Sequence, residues 1–149
     1  EMYSKILCAV DLKSRSNKAF EHAVKLAHQF DSEIILLNVN DDFQTKEEMV
    51  MSRVSVDTIN QKYKQIAMSA KKELENLKEN LETDNITISS LLRKGKAGPT
   101  IIDVSVEVSA DLIVIGANGK DSISDYFLGT TASYVVENST APTLTVSLA

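Results

Sequence analysis

Short, uninterrupted apolar runs that alternate with helix-period segments constrain this chain more than any other feature. Ile6, Leu7, Cys8, Ala9 and Val10 form the first run, which stops at Asp11. Ile34, Ile35, Leu36, Leu37 and Val39 form the second, between Asp31-Ser32-Glu33 and Asn40-Asp41-Asp42. Leu112, Ile113, Val114 and Ile115 form a third within residues 111–116. Runs of this length bounded by polar clusters suit strands buried on both faces, as in a parallel sheet covered by helices. Residues 86–92 and 143–148 alternate apolar with polar side chains instead, which suits half-exposed strands at the sheet edges.

Helical spacing fills the intervals. Ala19, Ala23, Leu26, Ala27 and Phe30 recur at that period over residues 16–30, with Ser14 or Ser16 expected as N-cap. Ile59, Tyr63, Ile66, Ala70, Leu74, Leu77 and Leu81 do the same over residues 57–82, with Lys and Glu opposite them, expected to form i,i+4 pairs. Residues 41–56 are irregular and highly charged, and are expected to form a connection or a short helix. Residues 102–108 pull two ways. Val104, Val106 and Val108 alternate as a strand would, yet Pro99 suits the first position of a helix, and consecutive parallel strands need a crossover. A helix is expected there. The sum is an α/β fold: a single-domain, doubly wound, open five-stranded parallel sheet in the order 3-2-1-4-5, with helices on both faces. Such sheets bind ligands beyond the carboxyl ends of the strands where the winding reverses, here between strands one and four, at Asp11 and Gly116.

Length and composition agree. One domain is the natural content of 149 residues with 43% hydrophobic and 25% charged positions. Glu1 ahead of Met2 reads as a cloning remnant, so the domain is expected to run 2–149. No apolar run approaches the roughly twenty residues that span a bilayer, and no signal peptide opens the chain, so a cytoplasmic protein is expected, without membrane attachment. The net charge of −5 has the wrong sign for nucleic acid as the main partner. Cys8 is the only cysteine, which excludes an internal disulfide and a CxxC site and suits a small core residue. His22 and His28 are not at the i,i+4 spacing of a helical zinc pair, so no metal ligands are assigned.

All five glycines, Gly95, Gly98, Gly116, Gly119 and Gly129, fall in one third of the chain. After strand four comes Gly116-Ala-Asn-Gly119, then nine residues, then Gly129-Thr130-Thr131, which opens an apolar helical stretch through Tyr134, Val135 and Val136. Glycines allow backbone N–H groups to face an anion, and a helix N-terminus adds unsatisfied donors and partial positive charge, so the segment suits a phosphate cradle. Plain turn and capping roles for Gly116, Gly119 and Thr130 account for the spacing equally well. A Walker A loop is absent, since Gly119-Lys120 is followed by Asp121, and neither GxGxxG after strand one nor GxSxG occurs.

Gly-x2-Gly-x9-Gly-Thr after a buried strand resembles the nucleotide signature of the universal stress protein family. The likeness extends to the opening Lys5-Ile-Leu-Cys-Ala-Val-Asp11, to Asp111-Leu-Ile-Val-Ile-Gly116, and to the closing Ala141-Pro142-Thr-Leu-Thr-Val. It implies an adenine nucleotide alpha-hydrolase-like fold and a site for ATP, ADP or AMP, with or without Mg²⁺. It also implies binding roles for Asp11, Val39, Gly116, Asn118, Gly119, Gly129, Thr130 and Thr131, with Asp11 and the Val39 backbone holding adenosine. Two positions depart from the pattern. Asn118 stands where many members carry a basic or His residue, with Lys120 placed to compensate in part. Ala132 stands where nucleotide-binding relatives often carry a hydroxyl that reaches the terminal phosphate, which leaves the preference among ATP, ADP and AMP open.

Three functions compete. The first is a dimeric, nucleotide-dependent regulatory module in a stress response, without catalytic residues. The second is a slow ATP hydrolase in which Asp11 or Asp121 orients water; no arginine finger is identifiable among Arg15, Arg53 and Arg93. The third is a dimeric interaction domain that has lost its nucleotide. The homodimer is expected through residues 143–148, where an edge strand carries Leu144, Val146 and Leu148 on one face.

Overall fold

The computed structural model describes residues 2–11, 17–40, 56–79, 83–117 and 129–147. Among the described residues nine elements follow one another: β1 (Lys5–Ala9), α1 (Lys18–Phe30), β2 (Glu33–Asn40), α2 (Val56–Glu79), β3 (Ile88–Lys94), α3 (Ala97–Glu107), β4 (Leu112–Ala117), α4 (Thr130–Asn138) and β5 (Thr143–Ser147). The strands form one parallel sheet in the order β3-β2-β1-β4-β5, as the patterning predicts. Ile6 pairs with Ile34 on one side and with Leu112 on the other, which puts β1 at the centre.

Strand side chains alternate between the two faces, and each face has its own core. On one, Ile6, Cys8, Ile34, Leu36, Leu112, Val114 and Val146 pack with Ala19, Phe20, Ala23, Val24 and Ala27 of α1 and Leu74 of α2. On the other, Leu7, Ile35, Leu37, Ile113, Ile115 and Ala117 pack with Ile101 and Val104 of α3 and Ala132 and Val135 of α4. Helices therefore cover both faces, two of the described helices on each. Phe20, Leu36 and Ile113 are fully enclosed, and burial of such a side chain stabilises by about 2 kcal/mol. Cys8 is enclosed too, and burial pushes its thiol pKa up to about 12, so it is a core residue and not a nucleophile at neutral pH.

The boundaries show which local signals prevail. The N-cap of α1 is Asn17, and its side chain makes no capping bond; Ser14 and Ser16 lie outside the described residues. α1 ends at Asp31 in the left-handed region, φ 55°, with its N–H bonded to the Ala27 carbonyl. α3 begins at Ala97, so Pro99 is its third residue, not its first. The helix prevails over the strand-like valines because Ile101, Val104, Ser105 and Val108 also recur at helical spacing; Val104 is buried while Val106 stays 64% exposed. β3 starts two residues after Ile86 because Asn85, at φ 68°, and the turn ahead of Ile86 delay entry into the ladder. On α2, Leu74 is buried and Leu77 packs beside it. The side chains of Ile59, Tyr63, Ile66 and Ala70 and all of Leu81 lie outside the described residues, as do residues 41–55. The described ion pair on this helix is Lys78 with Glu75, at 3.0 Å and i,i+3 spacing.

Candidate functional site

The winding reverses between β1 and β4. These strands are parallel neighbours from Ile6↔Leu112 to Ala9↔Ile115, but α1, which follows β1, packs on one face and α4, which follows β4, on the other. In a sheet wound this way, ligands bind beyond the carboxyl ends of the two strands at the reversal point.

Asp11 stands at that edge, exposed, two residues past β1. The backbone leading to it is held twice: the Val10 N–H donates to the Leu37 carbonyl at 2.9 Å, and the Asn38 side-chain amide donates to the Val10 carbonyl at 3.0 Å. Val39, half-buried near the end of β2, is in register with Arg93 on β3. The next turn closes on the same edge, where the Gly95 N–H donates to the Asn40 carbonyl at 3.2 Å. Gly95 has φ 134°, a conformation open to glycine and strained for other residues. Arg93 is engaged elsewhere, its Nη2 donating to both carboxylate oxygens of Glu107 at 3.1 and 3.2 Å. Arg15 and Arg53 lie outside the described residues.

Gly116 is the fifth residue of β4 and pairs with Val146. It lies inside the ladder and is not a turn residue, so what it contributes there is the lack of a side chain on β4. Asn118, Gly119, Lys120 and Asp121 lie outside the described residues. Gly129 is the N-cap of α4, with φ 89° and ψ 155°, a region essentially confined to glycine. A Cβ built on it meets no atom of the described residues within 4 Å. Thr130 therefore opens the helix and does not cap it, and among the described residues no side chain caps α4. The first intrahelical bond from Gly129 is Ser133 N–H to its carbonyl, 3.0 Å, so the amides of Thr130, Thr131 and Ala132 precede the helical ladder. Thr130 is exposed, Thr131 half-buried, and the Ala132 methyl is in the core.

The structure thus brings Asp11, Val39 and Gly116 to one edge of the sheet, and gives Gly129 and Thr130 the geometry of an open helix N-terminus. The glycine clustering overstates the site, because Gly98 serves helix packing: its Cα faces the Tyr134 ring. Sequence patterning also passed over Asn38, a polar residue inside an apolar strand run. Its signal is that a buried amide needs a partner. A cavity of about 380 Å³ lies away from this edge, between α2 and β3, lined by Lys71, Leu74, Glu75, Lys78, Ser90 and Leu92. It is mostly apolar, and it lies beyond β2 from the reversal point.

The model of the universal stress protein family matches residues 2–147. The chain belongs to the universal stress protein family. Among curated relatives, universal stress protein MJ0577 of Methanocaldococcus jannaschii is 26% identical over 97% of this chain and 95% of its own length. Universal stress protein G of Salmonella typhimurium is 31% identical over 97% and 99%. A solved structure of MJ0577 superposes with a TM-score of 0.79 at 25% identity, covering 100% of this chain and 99% of that one. Two more distant universal stress protein structures share the fold at 17% identity. One, in complex with cAMP, has a TM-score of 0.65 and full coverage of both chains. The other, from Archaeoglobus fulgidus in complex with dAMP, has a TM-score of 0.56 and covers 97% of this chain and 98% of its own.

Proposed function

We propose that this universal stress protein, as one domain over residues 2–149, binds ATP or a related adenine nucleotide at the β1/β4 reversal point and acts as a cytoplasmic, dimeric, nucleotide-dependent regulatory module. The observation that carries this reading is the entry to α4: Gly129 in a glycine-only conformation and, among the described residues, no atom close to a Cβ built on it and no side-chain cap on the helix amides. An anion satisfies such amides and is favoured by the helix dipole. The cAMP and dAMP bound by two structural relatives support an adenine ligand for the same fold.

In this reading Asp11 and the Val39 backbone hold adenosine, Gly116 leaves room beside it, and Asn118, Gly119, Gly129, Thr130 and Thr131 hold phosphate. Among the described residues no group of three His, Cys, Asp or Glu side chains is placed to hold a metal, so Mg²⁺ would arrive with the nucleotide on its phosphate oxygens. The described residues include no helix long and apolar enough to cross a membrane. The dimer is placed across β5, an edge strand on which Leu144 is 36% exposed while Val146, on the same face, is buried. Pairing of two copies would cover this edge.

The test is isothermal titration of nucleotide-stripped protein with ATP, ADP and AMP, each with and without Mg²⁺, beside Asp11→Ala and Gly119→Val variants. Micromolar binding weakened in both variants, with unchanged folding, is the expected result. Absence of binding by the parent protein refutes the nucleotide reading and leaves the dimeric interaction domain.

A further inference from the structure

We propose that Asn38 is a positioning residue for the nucleotide site, setting the direction in which Asp11 leaves β1. The inference rests on the nucleotide reading and adds to it a residue that touches no ligand.

Asn38 is only 6% exposed. It follows Ile34 and Leu36 at two-residue steps on β2, so it stands on the α1 face of the sheet, at the end of an otherwise apolar row. An amide buried there costs stability unless it is bonded. Its bond goes to the Val10 carbonyl, 3.0 Å away and 28 residues distant in sequence. A carbonyl oxygen only accepts, so the side chain must present its NH₂ to it.

The position of that carbonyl gives the bond its consequence. The β1–β2 register ends at Ala9↔Leu37, and the Val10 N–H still bonds to Leu37, at 2.9 Å. Val10 is thus anchored on both sides of its Cα. The carbonyl of Val10 belongs to the planar peptide unit that includes the Asp11 N–H and Cα. Fixing its oxygen against β2 fixes the plane, and with it the point from which the Asp11 side chain projects. Without the Asn38 donor the chain keeps the Leu37 bond but gains rotation about the Val10 ψ angle, and Asp11 loses one anchor of its position. An apolar residue at position 38 would suit the row of core side chains but leave the Val10 carbonyl without this donor.

The test is a double-mutant cycle read by titration with ATP. Asn38→Leu and the nearly isosteric Asn38→Asp, which removes the donor and keeps the shape, are each expected to weaken binding about fivefold to tenfold, the scale of one net hydrogen bond. In an Asp11→Ala background the same changes are expected to add less than twofold, because residues that act through one another are not additive. Asn38→His, whose Nδ1–H sits the same number of bonds from the backbone as the Asn amide, is expected to restore most of the affinity. In ¹⁵N-labelled protein, the Asp11 amide is expected to shift in Asn38→Asp while those of Thr130 and Thr131 stay in place. Equal losses in both backgrounds, or parent-like affinity in Asn38→Asp, overturn the proposal. Should the Leu variant fail to fold, the Asp and His variants carry the same comparison. A parent protein that does not bind ATP refutes the nucleotide reading instead, and the Asp11 amide shift then decides the positioning role alone.

Discussion

A Cβ added to Gly98 on α3 would stand 2.8 Å from Cδ1 and 2.9 Å from Cγ of Tyr134 on α4, so the two helices meet where one has no side chain. The contact fixes the spacing of the helices that cover the α3/α4 face, and α4 carries Thr130 at its start. In an exposed helix, Gly→Ala stabilises by about 1 kcal/mol. Here the clash with atoms near the root of the ring reverses the sign, since overpacking costs about 1–3 kcal/mol. Gly98→Ala is expected to lower the midpoint of urea unfolding, and to lower it less in a Tyr134→Ala background, where only the contact with the Cβ of residue 134, at 3.1 Å, remains. A stabilised Gly98→Ala in the parent protein would contradict this packing.

At the opposite end of the sheet, Asp111 ties the start of β1 to the start of β4. Ser4 Oγ donates to its Oδ2 at 2.7 Å and the Lys5 N–H to the same oxygen at 2.9 Å. The Ser4 bond, then the Lys5 bond, hold the Asp111 carboxyl below its ordinary value of 3.8. A depressed folded-state pKa contributes stability that is present above the unfolded value and is lost as pH falls through the folded one. Asp111→Asn is therefore expected to unfold more easily at pH 7 and to show a shallower loss of stability below about pH 4. Thermal melts across pH 2–7 check it; parallel acid limbs in the two proteins would contradict it.

For the dimer, Leu144→Lys places a charge at the exposed Leu144 position near the start of β5. The variant is expected to sediment as a folded monomer where the parent sediments as a dimer, because a charge facing its own copy across a two-fold axis meets a like charge. A concentration-independent monomer in the parent protein would remove the dimer from the account.

The sheet was legible because strands buried on both faces must be apolar throughout and edge strands need not be. Leu36 and Val114, enclosed on both sides, and Leu144, exposed on β5, show the rule at work. The crossover α3 was legible only through topology, since its valines satisfy two periods at once. The candidate site's placement in the fold was legible in part. Asp11 and Gly129 stand out because a charge ending a core strand and a glycine opening a helix are local events. Gly98 misled, because a glycine needed for close helix approach has the same composition signal as one needed for an anion. Asn38 escaped because its partner, Val10, is on another strand, and pairings across a sheet leave no mark in local sequence.

The central claim is that an adenine nucleotide seats at the carboxyl edge of β1 and β4, and amide chemical-shift mapping during an ATP titration tests it most directly. The account predicts shifts at Asp11, Val39, Gly116, Thr130 and Thr131, with Lys5, Asp111 and Ser139 unmoved at the far end of the sheet. Saturating ATP that leaves the first group unmoved, or moves the second instead, would contradict it.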